Sequence, residues 1–349
     1  MQRPMVGHLD PALHEIMAEL VTMLRAVYRA GSGLVLPLQS TGTAGMEAGM
    51  ANLVEPGDVA IVGVNGYFGR RIAEIARRCG AEVVEVHADW GEHVPNDRLL
   101  EALQQNPDAR LLAVVHAETS TGVEHPLAEL GAAMAGSETL LFADCVTSLG
   151  GVELDFDSWG IDYAYSCTQK CLASPPGMSP IAVSDRALDR VRSRSTPVPF
   201  STDLGLLEAY WVERPAAYHH TAPVLHIYAL HEVLRQTLEE GVEQRWARHD
   251  EAGRHLQSRA TEAGFELLAE PEHQLSPLTA IRVPDGVDGK AVQKAMLEEG
   301  IEVGGGLGPD APAIWRVGLM GPNADTDTAD RVLSVLRSAV ERQGAAVAG

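Results

Sequence analysis

Short apolar segments alternate with helix-like segments before residue 222, and this alternation restricts the fold more than any other feature of the sequence. Strand-like runs occur at Leu34 to Gln39, Val59 to Val64, Glu82 to His87, Leu111 to His116 and Leu140 to Ala143. The last two runs are almost wholly apolar, which is typical of central strands buried on both faces. Since strands separated by helices pair through right-handed crossovers, the pattern predicts an α/β fold with a mainly parallel sheet.

The pattern changes after residue 222. Two long helices are predicted at Pro223 to Gly241 and Val242 to Ala263, followed by strands at Phe265 to Ala269 and Leu278 to Val283. A helix, a strand and a final helix follow at Lys290 to Glu299, Ile314 to Gly318 and Thr328 to Arg342. We therefore expect an N-terminal helix segment over residues 1–30, a large domain over 31–240 and a smaller α+β domain over 241–349.

Composition excludes several classes of protein. The 349 residues carry a formal net charge of -21, which argues against nucleic acid or an anionic membrane as the main partner. No apolar run has the length of a membrane span, and the start at Met1 lacks the apolar stretch of a signal peptide. Four cysteines are too few for a disulfide framework, so we expect a cytoplasmic protein.

Two features are typical of ligand sites in open α/β sheets. The small-residue turn Ser40 to Gly45 joins a predicted strand to a helix, where backbone N–H groups and hydroxyls can hold an anion. Asp144 follows a buried strand, and its carboxylate can keep a heteroaromatic nitrogen protonated. Taken alone, the turn is more consistent with a simple helix cap, and Asp144 with a cap of the next turn.

Lys170 and Arg316 stand out because of where they occur. The chain has only three lysines, and Lys290 and Lys294 lie four residues apart on one predicted helix face. Lys170 follows a strand-like segment, where an amine of lowered pKa can form a Schiff base. Arg316 lies in an apolar strand and needs an anionic partner, either a substrate carboxylate or an acidic residue of the chain.

The order of these features is more specific than any one of them. An anion-binding turn, an aspartate, a lysine 26 residues later and a distant arginine together suit pyridoxal phosphate and an amino-acid substrate. That cofactor needs a phosphate cradle, a partner for its ring nitrogen and a Schiff-base lysine.

The sequence resembles the class V (fold type I) pyridoxal-phosphate aminotransferases, and within them the alanine–glyoxylate and serine–pyruvate aminotransferase group. The resemblance extends over nearly the whole chain. It rests on Arg3 to His8, Glu55-Pro56-Gly57-Asp58, Asn65-Gly66-Tyr67-Phe68-Gly69, Glu118-Thr119-Ser120-Thr121-Gly122-Val123, Tyr218-His219-His220-Thr221 and Gly305-Gly306-Leu307-Gly308. It implies a large domain around a mainly parallel seven-stranded sheet and a smaller α+β domain.

The resemblance also implies roles for individual residues. Lys170 is expected to form the Schiff base and to move the substrate proton, while Asp144 pairs with the pyridinium nitrogen. Phe68 is expected to stack on the cofactor ring, with Val146 on the opposite face. Arg316 is expected to bind the substrate carboxylate.

The remaining implied contacts concern the phosphate, the phenolic oxygen and a second subunit. They are Thr41, Gly42, Thr43 and Gln169 at the phosphate, Thr119 at the phenolic oxygen, and Tyr218 and Thr221 at the neighbouring cofactor of a homodimer. No metal site is expected. The pair His219 and His220 has a structural role in the family, and no further cysteines accompany Cys167 and Cys171 at zinc spacing.

The implied activity is transfer of an amino group from alanine or serine to glyoxylate or pyruvate by a ping-pong mechanism. One alternative is a ureidoglycine–glyoxylate aminotransferase, although such relatives have Asn where this chain has Tyr218. The other is a cofactor-binding protein with impaired activity, because relatives have a Gly-Pro-rich segment before the Arg3 to His8 stretch and this chain starts at Met1. A desulfurase is less consistent, since no cysteine follows Cys171.

Overall fold

A computed structural model describes residues 4–213 and 217–344. Its helices are α1 (Pro11–Tyr28), α2 (Gly42–Leu53), α3 (Tyr67–Arg78), α4 (Asn96–Gln105), α5 (Leu127–Ala133), α6 (Asp185–Arg192), α7 (Leu204–Trp211), α8 (Val224–Glu240), α9 (Val242–Glu262), α10 (Gly289–Glu298) and α11 (Thr326–Glu341). Its strands are β1 (Leu34–Gln39), β2 (Val59–Val64), β3 (Glu82–His87), β4 (Leu111–Val115), β5 (Ala117–Glu118), β6 (Val123–Glu124), β7 (Leu140–Asp144), β8 (Tyr163–Tyr165), β9 (Met178–Val183), β10 (Leu278–Arg282), β11 (Gly304–Gly305) and β12 (Ile314–Gly318).

The main sheet has seven strands in the order β1-β9-β8-β7-β4-β2-β3. The five strands from β8 to β3 run parallel, while β9 pairs antiparallel with both β8 and β1. This arrangement confirms the predicted α/β fold with a mainly parallel seven-stranded sheet. Because β4, β7 and β8 are parallel neighbours, their carboxyl ends meet at one edge, where open α/β sheets bind ligands.

The C-terminal part contains a smaller antiparallel sheet in the order β10-β12-β11. The strand predicted over Phe265 to Ala269 is wrong: only Leu267 forms an isolated bridge, with Ile281. The Leu268 N–H donates to the Ala280 carbonyl at 2.9 Å and the Arg282 N–H donates to the Glu266 carbonyl at 2.8 Å, so the segment pairs with β10 over a single bridge, which is too short for a strand. The limits of the three predicted parts, residues 1–30, 31–240 and 241–349, stay a prediction.

Helix α1 is fixed at both its start and its apolar face. Asp10 is its N-cap, and Oδ1 of Asp10 accepts a hydrogen bond from the Ala12 N–H at 2.9 Å. Its buried residues include Leu13, Leu20 and Leu24, and the helix packs against α8. Among the described residues, no helix is both long enough and apolar enough to cross a bilayer.

Glycines on one face of α2 allow this helix to lie directly on the sheet. A Cβ atom at Gly45 would lie 2.1 Å from Ser179 Oγ, and one at Gly49 would lie 2.4 Å from Tyr163 and 2.5 Å from Phe142. The rings of Phe142 and Tyr163 stack at 5.0 Å, so neither can move away easily. The close approach fixes the position of the helix N-terminus relative to the sheet edge.

We expect Gly49→Ala to lower the free energy of unfolding by about 1–3 kcal/mol, because the added methyl group overlaps two packed aromatic rings. Chemical denaturation measures the change. The matched control is Glu47→Ala on the exposed side of the same helix, which should alter stability much less. Equal effects of the two substitutions would contradict the packing argument.

Candidate active site

Asp144 lies at the carboxyl end of β7 and is almost completely buried. Its Oδ1 accepts a hydrogen bond from the Val146 N–H at 2.9 Å, and its Oδ2 accepts one from the Tyr165 hydroxyl. Burial raises the pKa of Asp144 to about 7, although both hydrogen bonds oppose this change. No cationic side chain within the described residues lies within 4.0 Å of this carboxylate. A protonated ring nitrogen is the kind of partner that such a carboxylate can hold.

The N-terminus of α2 faces the same edge. Thr41 is its N-cap, and the N–H groups of Gly42 and Thr43 donate no hydrogen bond within the described part of the chain. A Cβ atom on Gly42 would lie 3.1 Å from Val146 Cγ2 and 3.2 Å from Cys167 Cβ. The structure therefore brings together three predicted residues, Gly42, Thr43 and Val146, around free N–H groups that suit an anion.

Lys170 and Gln169 lie in the turn between β8 and β9, with Lys170 half-buried and Gln169 exposed. The Lys170 carbonyl accepts a hydrogen bond from the Ala173 N–H at 2.8 Å, and Ala173 has a left-handed φ of 57°. Burial raises the pKa of the Cys167 thiol, and the positive charge of Lys170 opposes that change. Since Cys167 also lies against Gly42, the lysine is close to the start of α2.

Glu118 organises the start of α3, which includes Phe68. Its Oε2 accepts hydrogen bonds from the N–H groups of Phe68 at 3.0 Å and Gly69 at 3.3 Å. Its Oε1 accepts from the Ser120 N–H at 3.0 Å and from the Ser120 hydroxyl at 2.6 Å. Sequence reasoning included Glu118 in a family motif but gave it no role. The contacts join positions 50 residues apart, which no local pattern indicates.

Arg71 is a second residue that the sequence reasoning missed. It donates hydrogen bonds to Thr43 Oγ1 at 3.2 Å and to the Tyr67 hydroxyl at 2.8 Å. Its guanidinium carbon lies 4.7 Å from the centre of the Tyr67 ring and 5.4 Å from that of Phe68. Arg71 thus connects α3 to the first turn of α2 and places a cation beside Phe68.

Arg316 lies on β12 and reaches back to the main sheet. Its Nε donates to the Gly305 carbonyl at 2.7 Å, and its Nη1 donates to the Thr119 carbonyl at 3.1 Å. No carboxylate within residues 4–213 and 217–344 lies within 4.0 Å of this guanidinium, so the intramolecular ion pair considered above is not found there. Burial lowers the pKa of Arg316, and Glu118 opposes that effect. An external carboxylate would supply the missing anion.

No hydrogen bond or ring contact joins Tyr218 or Thr221 to the residues above within the described part of the chain. The Tyr218 hydroxyl and Thr221 Oγ1 are 3.2 Å apart, and both residues are exposed. The Tyr218 ring is 6.0 Å from that of His8. Their predicted contact with a neighbouring subunit stays a prediction.

A cavity of about 290 Å³ opens beside Arg71 and Tyr67. Trp90 and the segment Leu307 to Pro309 form its other side. Gly308 has a φ of 103°, and a Cβ atom there would lie 3.0 Å from the Tyr67 ring. Arg70 and Glu74 also line the cavity, whose volume suits a small organic molecule.

Comparison with known proteins agrees with this geometry. The family described as Aminotransferase class-V matches residues 2–321. The alanine–glyoxylate aminotransferase of Rattus norvegicus is 40% identical over 342 residues, which cover 97% of this chain and 82% of that protein. An alanine–glyoxylate aminotransferase structure from Nostoc sp. is 45% identical with a TM-score of 0.93, covering 97% of this chain and 89% of the other.

A second similar structure is that of an enzyme with a different activity. The ureidoglycine–glyoxylate aminotransferase of Bacillus subtilis is 35% identical with a TM-score of 0.95, covering all of this chain and 90% of the other. Its similarity in fold equals or exceeds that of the alanine–glyoxylate enzyme, so fold alone does not separate the two donors. The match over most of the chain and the identities above show that this protein is a transaminase that belongs to the class V aminotransferase family.

Proposed function

We propose that this transaminase moves the amino group of alanine or serine to glyoxylate or pyruvate, by a ping-pong mechanism with Lys170 as the Schiff-base lysine. The observation that supports it most is the meeting of a buried, cation-free carboxylate, Asp144, with the open N-terminus of α2 at one sheet edge. The four cysteines are free, which supports the predicted cytoplasmic location.

The residues at this edge fit pyridoxal phosphate, on which the family depends. The free N–H groups of Gly42 and Thr43 suit a phosphate, and the Thr41 hydroxyl and Gln169 are proposed to complete its binding. Asp144 suits a ring nitrogen, and Phe68 and Val146 are proposed to pack on the two faces of the ring. When bound, the cofactor supplies an aldehyde for the amino group and a ring that withdraws electrons from the substrate.

The side chains then have separate tasks. Asp144 keeps a proton at the ring nitrogen, and the Tyr165 hydroxyl and the Val146 N–H hold its carboxylate in place. The Lys170 amine would take the proton from the substrate α-carbon and deliver it to the C4′ carbon of the cofactor. Arg316 holds the carboxylate of both substrates while its Nε and Nη1 stay bonded to carbonyl groups.

We expect Arg316→Lys to lower kcat/KM about 10–100-fold for both alanine and glyoxylate, mainly through KM. A lysine cannot bond two carbonyl groups and grip a carboxylate in the same planar geometry, and such charged hydrogen bonds contribute about 1.5–3 kcal/mol. Steady-state kinetics with each substrate varied measure the loss. The control is Arg78→Lys, which changes an exposed arginine of α3 paired with Glu74. A normal KM in Arg316→Lys would contradict the assigned role.

A homodimer is part of the proposal. Met5, Leu9, Phe200 and Tyr218 are large apolar or aromatic side chains with exposed fractions of 62–67%. Such exposure around Tyr218 suits burial against a second copy, which would bring Tyr218 and Thr221 to the neighbouring cofactor. Sedimentation equilibrium tests it: a dimer mass is expected for the wild type, and a monomer at working concentration would count against it.

The experiment that tests the function is a donor and acceptor screen with purified protein and added cofactor. Alanine, serine and ureidoglycine are each combined with glyoxylate or pyruvate, and product formation is followed while both substrates vary. The proposal predicts turnover with alanine or serine and parallel double-reciprocal lines. A strong preference for ureidoglycine would favour that alternative, which the similarity to the Bacillus subtilis enzyme supports. Cofactor binding without turnover would favour an impaired enzyme.

A further inference from the structure

Two histidines and a glutamate form a cluster outside the proposed active site. His93 lies between β3 and α4, while Glu270 and His273 lie before β10. The rings of His93 and His273 are 3.7 Å apart between centres and inclined by 35°. His93 Nδ1 is 3.5 Å from Glu270 Oε2, and one potential ligand atom from each of the three residues lies within 4.8 Å of the others.

The backbone already holds these residues together. The Glu270 N–H donates to the Gly91 carbonyl at 3.0 Å. Gly91 has a φ of 98°, and a Cβ atom there would lie 2.2 Å from the Leu268 carbonyl oxygen. Because two segments about 180 residues apart are in direct backbone contact, the three side chains can bind a common ligand with little rearrangement.

A buried histidine lies next to the cluster. His125 is 3% exposed, and its Nε2 has no hydrogen-bond partner among the described residues. Its ring centre is 6.5 Å from that of His93. A third imidazole with an unpartnered ring nitrogen therefore lies beside the cluster within the described part of the chain.

A large groove reaches the cluster at His273. His125 and His273 both line a cavity of about 1100 Å³, which also contains Glu124 and Asp250. The lining also includes Glu129, Glu153 and Glu272 and has more acidic side chains than arginines, so it attracts cations toward the histidines.

We propose that His93, Glu270 and His273 bind one divalent transition-metal ion of the Zn²⁺ type. Two imidazoles and a carboxylate form a ligand set that suits zinc, nickel or copper, whereas Mg²⁺ and Ca²⁺ prefer oxygen ligands throughout. The ion ties the segment around Gly91 to the segment before β10. It has no part in amino transfer and acts on stability.

Isothermal titration of Zn²⁺ into tag-free protein, freed of metal by a chelator and saturated with cofactor, tests the site. We expect one Zn²⁺ to bind per chain through the three cluster residues, and we expect this binding to raise the Tm of the protein. His93→Ala and His273→Ala should each weaken this binding by more than about 100-fold, since loss of an outer-shell partner alone costs roughly 10–100-fold. Mg²⁺ should neither bind nor compete.

The matched control is His87→Ala, which removes an exposed histidine that contacts Glu85 at 2.9 Å. It should leave Zn²⁺ binding unchanged. Cofactor is present in every sample, so metal bound by the cofactor persists in all variants and is subtracted. His273→Gln serves as a second variant if His273→Ala melts early without metal. Undiminished binding in the His93 and His273 variants, or equal binding of Mg²⁺, would overturn the site.

Discussion

Lys170→Ala should reduce transaminase activity by at least about 10³-fold while leaving the fold intact. The substitution removes the amine that is proposed both to hold the cofactor aldehyde and to move the substrate proton, and proton transfer alone contributes about 10²–10⁴-fold. Lys170 is half-buried in the turn between β8 and β9, and its side chain makes no ion pair within the described residues. Alanine at this position therefore removes the reactive amine but few packing contacts.

The low lysine content provides a matched control. Lys290→Ala removes the same charge from an exposed position on α10 and should keep full activity. Borohydride, which fixes an amine-bound aldehyde covalently, should add the mass of the cofactor to the peptide that contains Lys170 and to neither of the other two lysines. Full activity of Lys170→Ala, or labelling at Lys290 or Lys294, would remove the basis of the proposed mechanism.

Asp144→Asn should lower kcat about 10²–10³-fold, the loss that follows removal of one preorganised electrostatic group. The amide has nearly the same shape but carries no negative charge to keep a proton on the ring nitrogen. Steady-state kinetics measure the effect. The control is Tyr165→Phe, which removes one donor to the carboxylate but retains its charge, and which should cost much less. Equal losses would show that the hydroxyl, rather than the charge, is required.

The same substitution has an opposite effect on stability. Burial raises the pKa of Asp144 from 3.8 to about 7, so the folded chain keeps a proton that the unfolded chain loses across this range. This contribution to the free energy of unfolding is fully present below pH 4. It is lost as the pH rises through 7, by about 4 kcal/mol for a pKa difference of about three. Without added cofactor, Asp144→Asn should therefore gain stability over the wild type between pH 4 and pH 8. Chemical denaturation measures this difference. If Asp144→Asn is no more stable than the wild type in this pH range, the raised pKa is contradicted.

Hydrophobic pattern was a good guide to the main sheet. The runs at Leu34 to Gln39, Val59 to Val64 and Glu82 to His87 coincide with strands, because each is bounded by turn residues and covered by helices. The same criterion was wrong at Phe265 to Ala269, where pairing with β10 is limited to one bridge at Leu267. Hydrophobic periodicity indicates which residues are buried, whereas strand pairing depends on contacts with distant parts of the chain.

The candidate site was predicted in part from the chemistry of single residues. Asp144 and the α2 start were found because each has a local signature at a strand end. Arg71 and Glu118 were missed because their contacts reach side chains and N–H groups 28 to 50 positions away. The cluster around His93 was missed for the same reason, since its partners lie about 180 residues further along the chain.

Because the glycine face of α2 fixes the cofactor side of the site, substitutions in the nearby cavity wall can be made without moving the cofactor. The cofactor side of the site stands on a helix whose Gly45 and Gly49 lie directly against the sheet, so a larger residue does not fit at either position. The cavity wall from Leu307 to Pro309 belongs instead to the connection between β11 and β12, which tolerates more change. Amino-acid libraries at positions 307 and 309 should therefore be broad without loss of the bound cofactor.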